Sequence, residues 1–333
     1  LGTIILGFAD TLMIGHHSTE ELAAAGLVNN IITFILVSYM GFSYGLTPII
    51  GKLYGMEKTD EIGQKVKNSF FANMVVGVIF SLALIILYFN LHRIGQPEEL
   101  LALIRPYFIV NLVSVLFVGV FNTLKQFLDG IGNTKVAMWV MIMGNIVNIF
   151  GNWVLIYGVG PCPEMGLLGA GISTLASRVL MAVAMVGIIA GTKEYREYRN
   201  NIIASRINGA DFREMNRLGW PVALQLALES GAFTLSCVMV GWLGTIPLAA
   251  HQVMITISQL FYLVLSGMAA ALAIRVSHFV GQNDFAAVRR NAYDGWRLNL
   301  LFSLCMGIPV LLLRHQIGGW FNDNVEVQQY VAL

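Results

Sequence analysis

Charge is scarce in this chain: 12% of its 333 residues are Asp, Glu, Lys or Arg, against about 25% in an ordinary soluble domain. That excludes a plain cytosolic globule. Twenty Lys and Arg stand against nineteen Asp and Glu, a net +1, so bulk charge points to neither nucleic acid nor an acidic partner. Cysteine is almost missing. Cys162, Cys237 and Cys305 lie far apart, with no CxxC pair and no His at ligand spacing, so no disulfide framework or metal site follows. Catalytic signatures are missing as well. No GxSxG, HExxH, P-loop or GxGxxG stands at a strand-to-helix junction, and GIGNTK at 130–135 lacks the Walker spacing. The chain therefore reads as neither an enzyme nor an ATP-driven pump, with no cofactor.

What is abundant is apolar. Hydrophobic residues make up 56% of the chain, with 34 Gly, 19 Phe and 15 Met, and the mean hydropathy is +0.70. This is the composition of an all-α polytopic membrane protein embedded in the lipid bilayer. A bilayer core takes about 20 apolar residues in helix, because lipid offers no partner to a bare peptide group. Nine stretches qualify as spans: 1–15, 27–50, 69–90, 104–124, 136–157, 169–191, 217–241, 251–274 and 298–314. The first is short for a crossing and lacks the features of a secretory signal, so it reads as a helix missing its start.

The basic residues alternate by loop. Segments 52–68, 123–136, 192–217 and 275–297 hold sixteen of the twenty Lys and Arg. The alternate loops hold only Arg93, Arg105 and Arg314, while Arg178 lies inside a span. By the positive-inside rule the first set, the N-terminus included, faces the cytoplasm.

A repeat at an offset of 226 residues aligns 13–55 with 239–281 without a gap. Identical pairs include Met13/Met239, Thr19/Thr245, Ala24/Ala250, Gly41/Gly267 and Gly55/Gly281. The offset covers an even number of crossings, so both copies keep one orientation and the pseudo-two-fold lies along the membrane normal, the parallel-repeat plan of secondary transporters. The domains expected are an N-lobe at 1–191 with spans one to six, a charged cytoplasmic linker at 192–217, and a partial C-lobe at 218–333. The repeat also leads us to expect a short start ahead of Leu1 and three further helices after the last span.

Five stretches carry a family resemblance: FADTLMIG (8–15), NIVNIFGNWVLIYG (145–158), RLGWPVALQLALESGAF (217–233), AAHQV (249–253) and IRVSHFVGQ (274–282). Together they resemble the multidrug and toxic compound extrusion, or MATE, transporters, in their NorM-type branch. The resemblance implies a two-lobe bundle of six plus six helices around a central cavity. It implies a monomer exporting organic cation drugs or dyes in exchange for Na⁺ or H⁺, in the inner membrane if the source is bacterial. A lipid-linked oligosaccharide or polysaccharide-precursor flippase of the same superfamily is the alternative. Such a flippase needs a basic cavity, whereas the spans hold two acids and one Arg.

Those acids, Asp10 and Glu229, stand out from the residues alone. An acidic side chain at a helix centre is disfavoured by about 2.5 to 3.5 kcal/mol on insertion scales, so such residues are rare and serve ion or proton pathways. A neutral or paired structural carboxyl is the bland reading. Gln225, Glu229 and Ser236 share one helical stripe, and Thr3, Gly7 and Asp10 share another. Under the offset Glu229 falls on Thr3 and Asp10 on Ser236, so each lobe has one acid at a different height. Asn145, Asn148 and Asn152 form a third stripe, either interhelical glue or a polar network around Asp10. Arg178 either counters Asp10 or snorkels. The resemblance places Asp10, Asn148 and Asn152 in the family's first-lobe polar cluster. It matches Glu229 to the essential acid of the seventh span, and puts a further Asp of the tenth span beyond Leu333.

Overall fold

The computed structural model describes residues 13–15, 17–94, 98–160, 163–321 and 325–332, and among them there is no strand. In chain order the helices are α1 (Thr19–Tyr44), α2 (Leu46–Gly55), α3 (Thr59–Phe89), α4 (Glu98–Gly130), α5 (Thr134–Tyr157) and α6 (Gly166–Gly191). They continue with α7 (Arg196–Ala204), α8 (Gly209–Gly241), α9 (Thr245–Gly281), α10 (Phe285–Phe321) and α11 (Val325–Ala332). Among the described residues eight helical stretches are long and apolar enough to cross a membrane, with α1 and α2 forming a single one from Glu20 to Gly55. They coincide with the second to ninth spans read from the sequence. Of the first span, 1–15, only residues 13–15 are described, and they are helical.

The helix ends follow local chemistry. Ser18 has extended backbone and its side chain accepts from the Glu21 amide, while Glu20 and Glu21 occupy the first turn of α1. That arrangement satisfies an orphan donor and opposes the positive end of the helix. α5 stops at Gly158, where φ is +65°. A left-handed residue there closes the helix without the steric cost a Cβ would add.

By contact density the chain divides into two units, Gly2–Ala227 and Leu228–Leu333. In the first, α4 packs against α1, α3 and α6, and α5 against α6. Its core is aromatic and branched, with Tyr39, Phe42, Phe108 and Phe127 fully enclosed. Tyr39 shows how tightly the helices close. Its hydroxyl donates to the Asn73 carbonyl at 2.7 Å, and a Cβ at Gly119 would collide with that same hydroxyl. The second unit has a small core of Ala250, Val253, Ile317, Val327 and Val331. At most 6% of the apolar window is buried in α8, α9 or α10, against 28–39% in the five earlier spans. Leu228, Leu301 and Leu311 are among the side chains left outward. Hydrocarbon or other protein has to cover such faces.

The charged stretch after α6 is ordered as α7, whose Tyr198 ring meets Phe127 edge-on at 5.5 Å. Lys65 on α3 then clasps the start of α8, pairing with Asp211 at 2.7 Å and also with Glu214. Gln64 and Asn68 donate to the same Asp211 carboxylate at 2.6 and 3.2 Å. This accounts for α3 beginning at Thr59, well ahead of its apolar run: the charged turns are matched by partners of opposite sign.

Candidate functional site

Two sets of buried polar residues in the first unit involve α4, α5 and α6. On α5, Asn148 and Asn152 have no exposed surface and Asn145 is half-buried. The amide of Asn152 donates to Asn148 Oδ1 at 3.3 Å, and that of Asn148 to Thr174 Oγ1 at 3.1 Å. Ser173 Oγ donates to the Asn148 carbonyl at 2.8 Å. The helices approach closely because the contact residues are small. A Cβ at Gly169 would stand 2.5 Å from the Leu155 carbonyl oxygen, and one at Gly151 would overlap Ser173 Oγ.

A second chain of bonds runs along α4. The Arg178 guanidinium on α6 donates to Ser114 Oγ. Ser114 in turn donates to the Asn111 carbonyl at 2.6 Å. Asn111 donates to the Tyr107 carbonyl at 3.1 Å, and the Tyr107 hydroxyl to Asn29 Oδ1 on α1 at 2.9 Å. Ser114 and Asn111 are buried. Arg178 is half-buried with its charge directed at α4. Asp10 and Thr3 lie outside the described residues, so the stripe they share and the pairing of Asp10 with Arg178 do too.

Glu229 belongs to the second unit. It is half-buried on α8 and has no hydrogen bond or ion pair among the described residues. Gln225 and Ser236 lie on the same unbroken helix and are exposed. The helix carries Pro221 inside it, which removes the donor for the Arg217 carbonyl one turn earlier. Among the described residues no group of three or more His, Cys, Asp or Glu is arranged to hold a metal ion.

A family model, MatE, matches residues 1–154 and 221–332. The chain belongs to the MatE family. As a MatE protein it is a multi-pass membrane transporter rather than an enzyme. It is 29% identical over 320 residues to a "Probable multidrug resistance protein NorM" of Photorhabdus laumondii, covering 96% of this chain and 70% of that protein. The fold superposes on the crystal structure of the eukaryotic MATE transporter AtDTX14 with a TM-score of 0.84 at 18% identity. That match covers 99% of this chain and 73% of that one. A MATE solved in complex with MaD3S gives a TM-score of 0.87 at 19% identity, over 99% and 74% of the two chains.

The asparagine stripe of the sequence is thus one of two hydrogen-bonded polar sets, the other running from Arg178 along α4. The α6 partners of the first set and, Arg178 apart, the members of the second escaped sequence reasoning. Asn111 and Ser114 are spaced by three on α4, and Ser173, Thr174 and Ser177 cluster on α6, which is the available signal. Single small polar residues in apolar helices read as packing without a partner in view.

Proposed function

We propose that this MatE transporter exports organic cation drugs or dyes by antiport with Na⁺ or H⁺, using Glu229 and Asp10 as the exchange carboxylates. The observation that carries the reading is the state of Glu229: a half-shielded carboxylate on an apolar crossing helix, with no cationic side chain paired to it among the described residues. A carboxylate so placed is costly to leave bare and repels a second cation once occupied. It therefore takes one positive guest at a time, which is the logic of exchange. A potential of 100 mV supplies about 2.3 kcal/mol per charge moved, enough to drive each replacement.

The bonds among Asn148, Asn152 and Thr174, and the separate bond of Arg178 to Ser114, support a second polar locus in the first lobe, with Asn145 on the same stripe. Gln225, Ser236 and Thr3 provide polar contacts on the acidic stripes. The basic loops and the 192–217 linker face the cytoplasm in this reading. The protein acts as a monomer of two lobes, 1–191 and 218–333, in the inner membrane of a bacterial source. The only intramembrane arginine read from the sequence, Arg178, is engaged with Ser114, which weighs against a basic, pyrophosphate-binding flippase.

The test is dye efflux from vesicles under an imposed Na⁺ or pH gradient. Extrusion of a cationic dye that collapses with one of the two gradients supports the reading and names the ion. Gradient-independent movement of a lipid-linked saccharide, without dye efflux, refutes it.

A further inference from the structure

A cleft of about 270 Å³ opens in the first unit between α3, α4, α6 and α7. Its walls are hydrocarbon: Val66 and Phe70 from α3, Val186 and Ile189 from α6, and Ile202 from α7. Lys67 and Arg199 complete the lining with their hydrocarbon stems, while their charged ends reach backbone carbonyls of Ile203 and Ser205 and of Ala190. We propose that this cleft is a binding site for an anionic phospholipid. An acyl chain lies along the apolar walls, and the headgroup phosphate stays at the rim, where the charged ends of Lys67 and Arg199 lie.

The protein engages each of the two cations only in part. Lys67 donates to the carbonyls of Ser205 at 2.6 Å and Ile203 at 3.3 Å. An ammonium has three donors, so one remains. Arg199 donates to the Ala190 carbonyl through one nitrogen, which leaves most of its five donors. Neither forms an ion pair among the described residues. Lys65, two positions from Lys67, is by contrast held by Asp211 and Glu214. Positive charge beside hydrocarbon and unmatched by carboxylate is complementary to a ligand with a negative head and an apolar tail. Basic pockets between crossing helices recognise acidic lipid headgroups in this way. A free phosphate satisfies the cations but leaves the apolar walls uncovered.

The position agrees. Both cations lie at the ends of the bundle where the basic loops gather, the side of the membrane that carries acidic lipid under the positive-inside reading. Ile203 and Ile207 follow directly on the cleft and are 70% and 56% exposed, apolar side chains fit to enter the interface from a polar segment. The proposal is independent of the transport reading, since it uses no residue of the polar network and not Glu229.

The experiment uses the full chain in nanodiscs of phosphatidylcholine, to which phosphatidylglycerol with a photoreactive acyl chain is added. Cross-linked peptides are then mapped. Each Lys or Arg near an anionic surface contributes roughly a fivefold preference, so the pair gives on the order of thirtyfold for phosphatidylglycerol over phosphatidylcholine. The expected result is cross-linking concentrated on α3, α6 and α7 around Phe70, Val186 and Ile202, displaced by unlabelled phosphatidylglycerol at far lower concentration than by phosphatidylcholine. Lys67→Gln with Arg199→Gln should abolish that preference, and Lys67→Arg with Arg199→Lys should keep it. Cross-links spread evenly over the lipid-facing helices, equal competition by the two lipids, or displacement by inorganic phosphate alone would each overturn the proposal. The mapping on the unmodified chain decides the matter even where the neutral variant fails to fold.

Discussion

Gly151→Ala probes the seam on which the asparagine network is built. A helical glycine replaced by alanine ordinarily gains about 1 kcal/mol from backbone propensity. At Gly151 the added methyl meets Ser173 Oγ at a distance no pair of atoms tolerates, and Ser173 Cβ at 3.2 Å. The hydroxyl has to turn away, which breaks its 2.8 Å bond to the Asn148 carbonyl. Overpacking of this kind is worth roughly 1 to 3 kcal/mol, and the lost hydrogen bond about 1 kcal/mol. Set against the propensity gain, the net destabilisation is roughly 1 to 3 kcal/mol. Ser173→Ala alone should lose only the hydrogen bond, about 1 kcal/mol. In the double variant the hydroxyl is no longer there to be struck, so its stability should match or exceed that of Ser173→Ala. The cycle is measured as the fraction of purified protein that stays in its original gel-filtration peak after heating. Stabilisation by Gly151→Ala alone, or strictly additive losses in the pair, would show that α5 and α6 do not meet at these two residues.

Other expectations follow from the same geometry. His17 bridges Glu164 and Glu21, each at 2.8 Å, and its pKa is raised from 6.5, first by the hydrogen bond to Glu164 and also by Glu21, against the opposing pull of burial. The stabilisation is therefore complete below about 6.5, the unfolded value, and is lost as pH rises through the raised value. Heat resistance should fall from pH 6 to pH 8 more in the unmodified chain than in His17→Ala, and equal slopes would exclude the bridge. Asp211→Ala removes an acceptor shared by Lys65, Gln64 and Asn68. It should destabilise by about 2 to 4 kcal/mol and expose residues 205–208 to limited proteolysis. Unchanged cleavage would refute the clasp. Tyr39→Phe removes one buried hydrogen bond and should lower stability by about 1 kcal/mol in the same heat assay, without making room for a Cβ at Gly119, where the ring carbon under the hydroxyl would still stand 2.5 Å away.

Spans two to nine were legible because hydrocarbon imposes one rule on every residue that faces it. Their ends were not. α10 begins at Phe285, although the apolar run begins near 298, because Arg289, Arg290 and Arg297 prolong the helix beyond the apolar run. The charged segment 192–217 gave no helix to the eye, yet Tyr198 and Ile202, four apart, fold α7 onto Phe127 and the lipid cleft. At the candidate site the pattern of three and four at Asn145, Asn148 and Asn152 announced a stripe. The partners on α6 were hidden because which helices adjoin is a property of the tertiary fold. Glu229 was legible for the opposite reason: a carboxylate in an apolar run needs no partner in view to be noticed.

Exchange as proposed requires that positive guests compete for each carboxylate, and Glu229 is the one whose surroundings the structure describes. Displacement of a bound fluorescent cationic dye by Na⁺ and by H⁺, measured on the purified chain and on Glu229→Gln, tests it most directly. The account predicts competitive displacement by one of the two ions in the unmodified protein, and loss of that competition in a variant that stays folded. Displacement of equal strength in both proteins would contradict it.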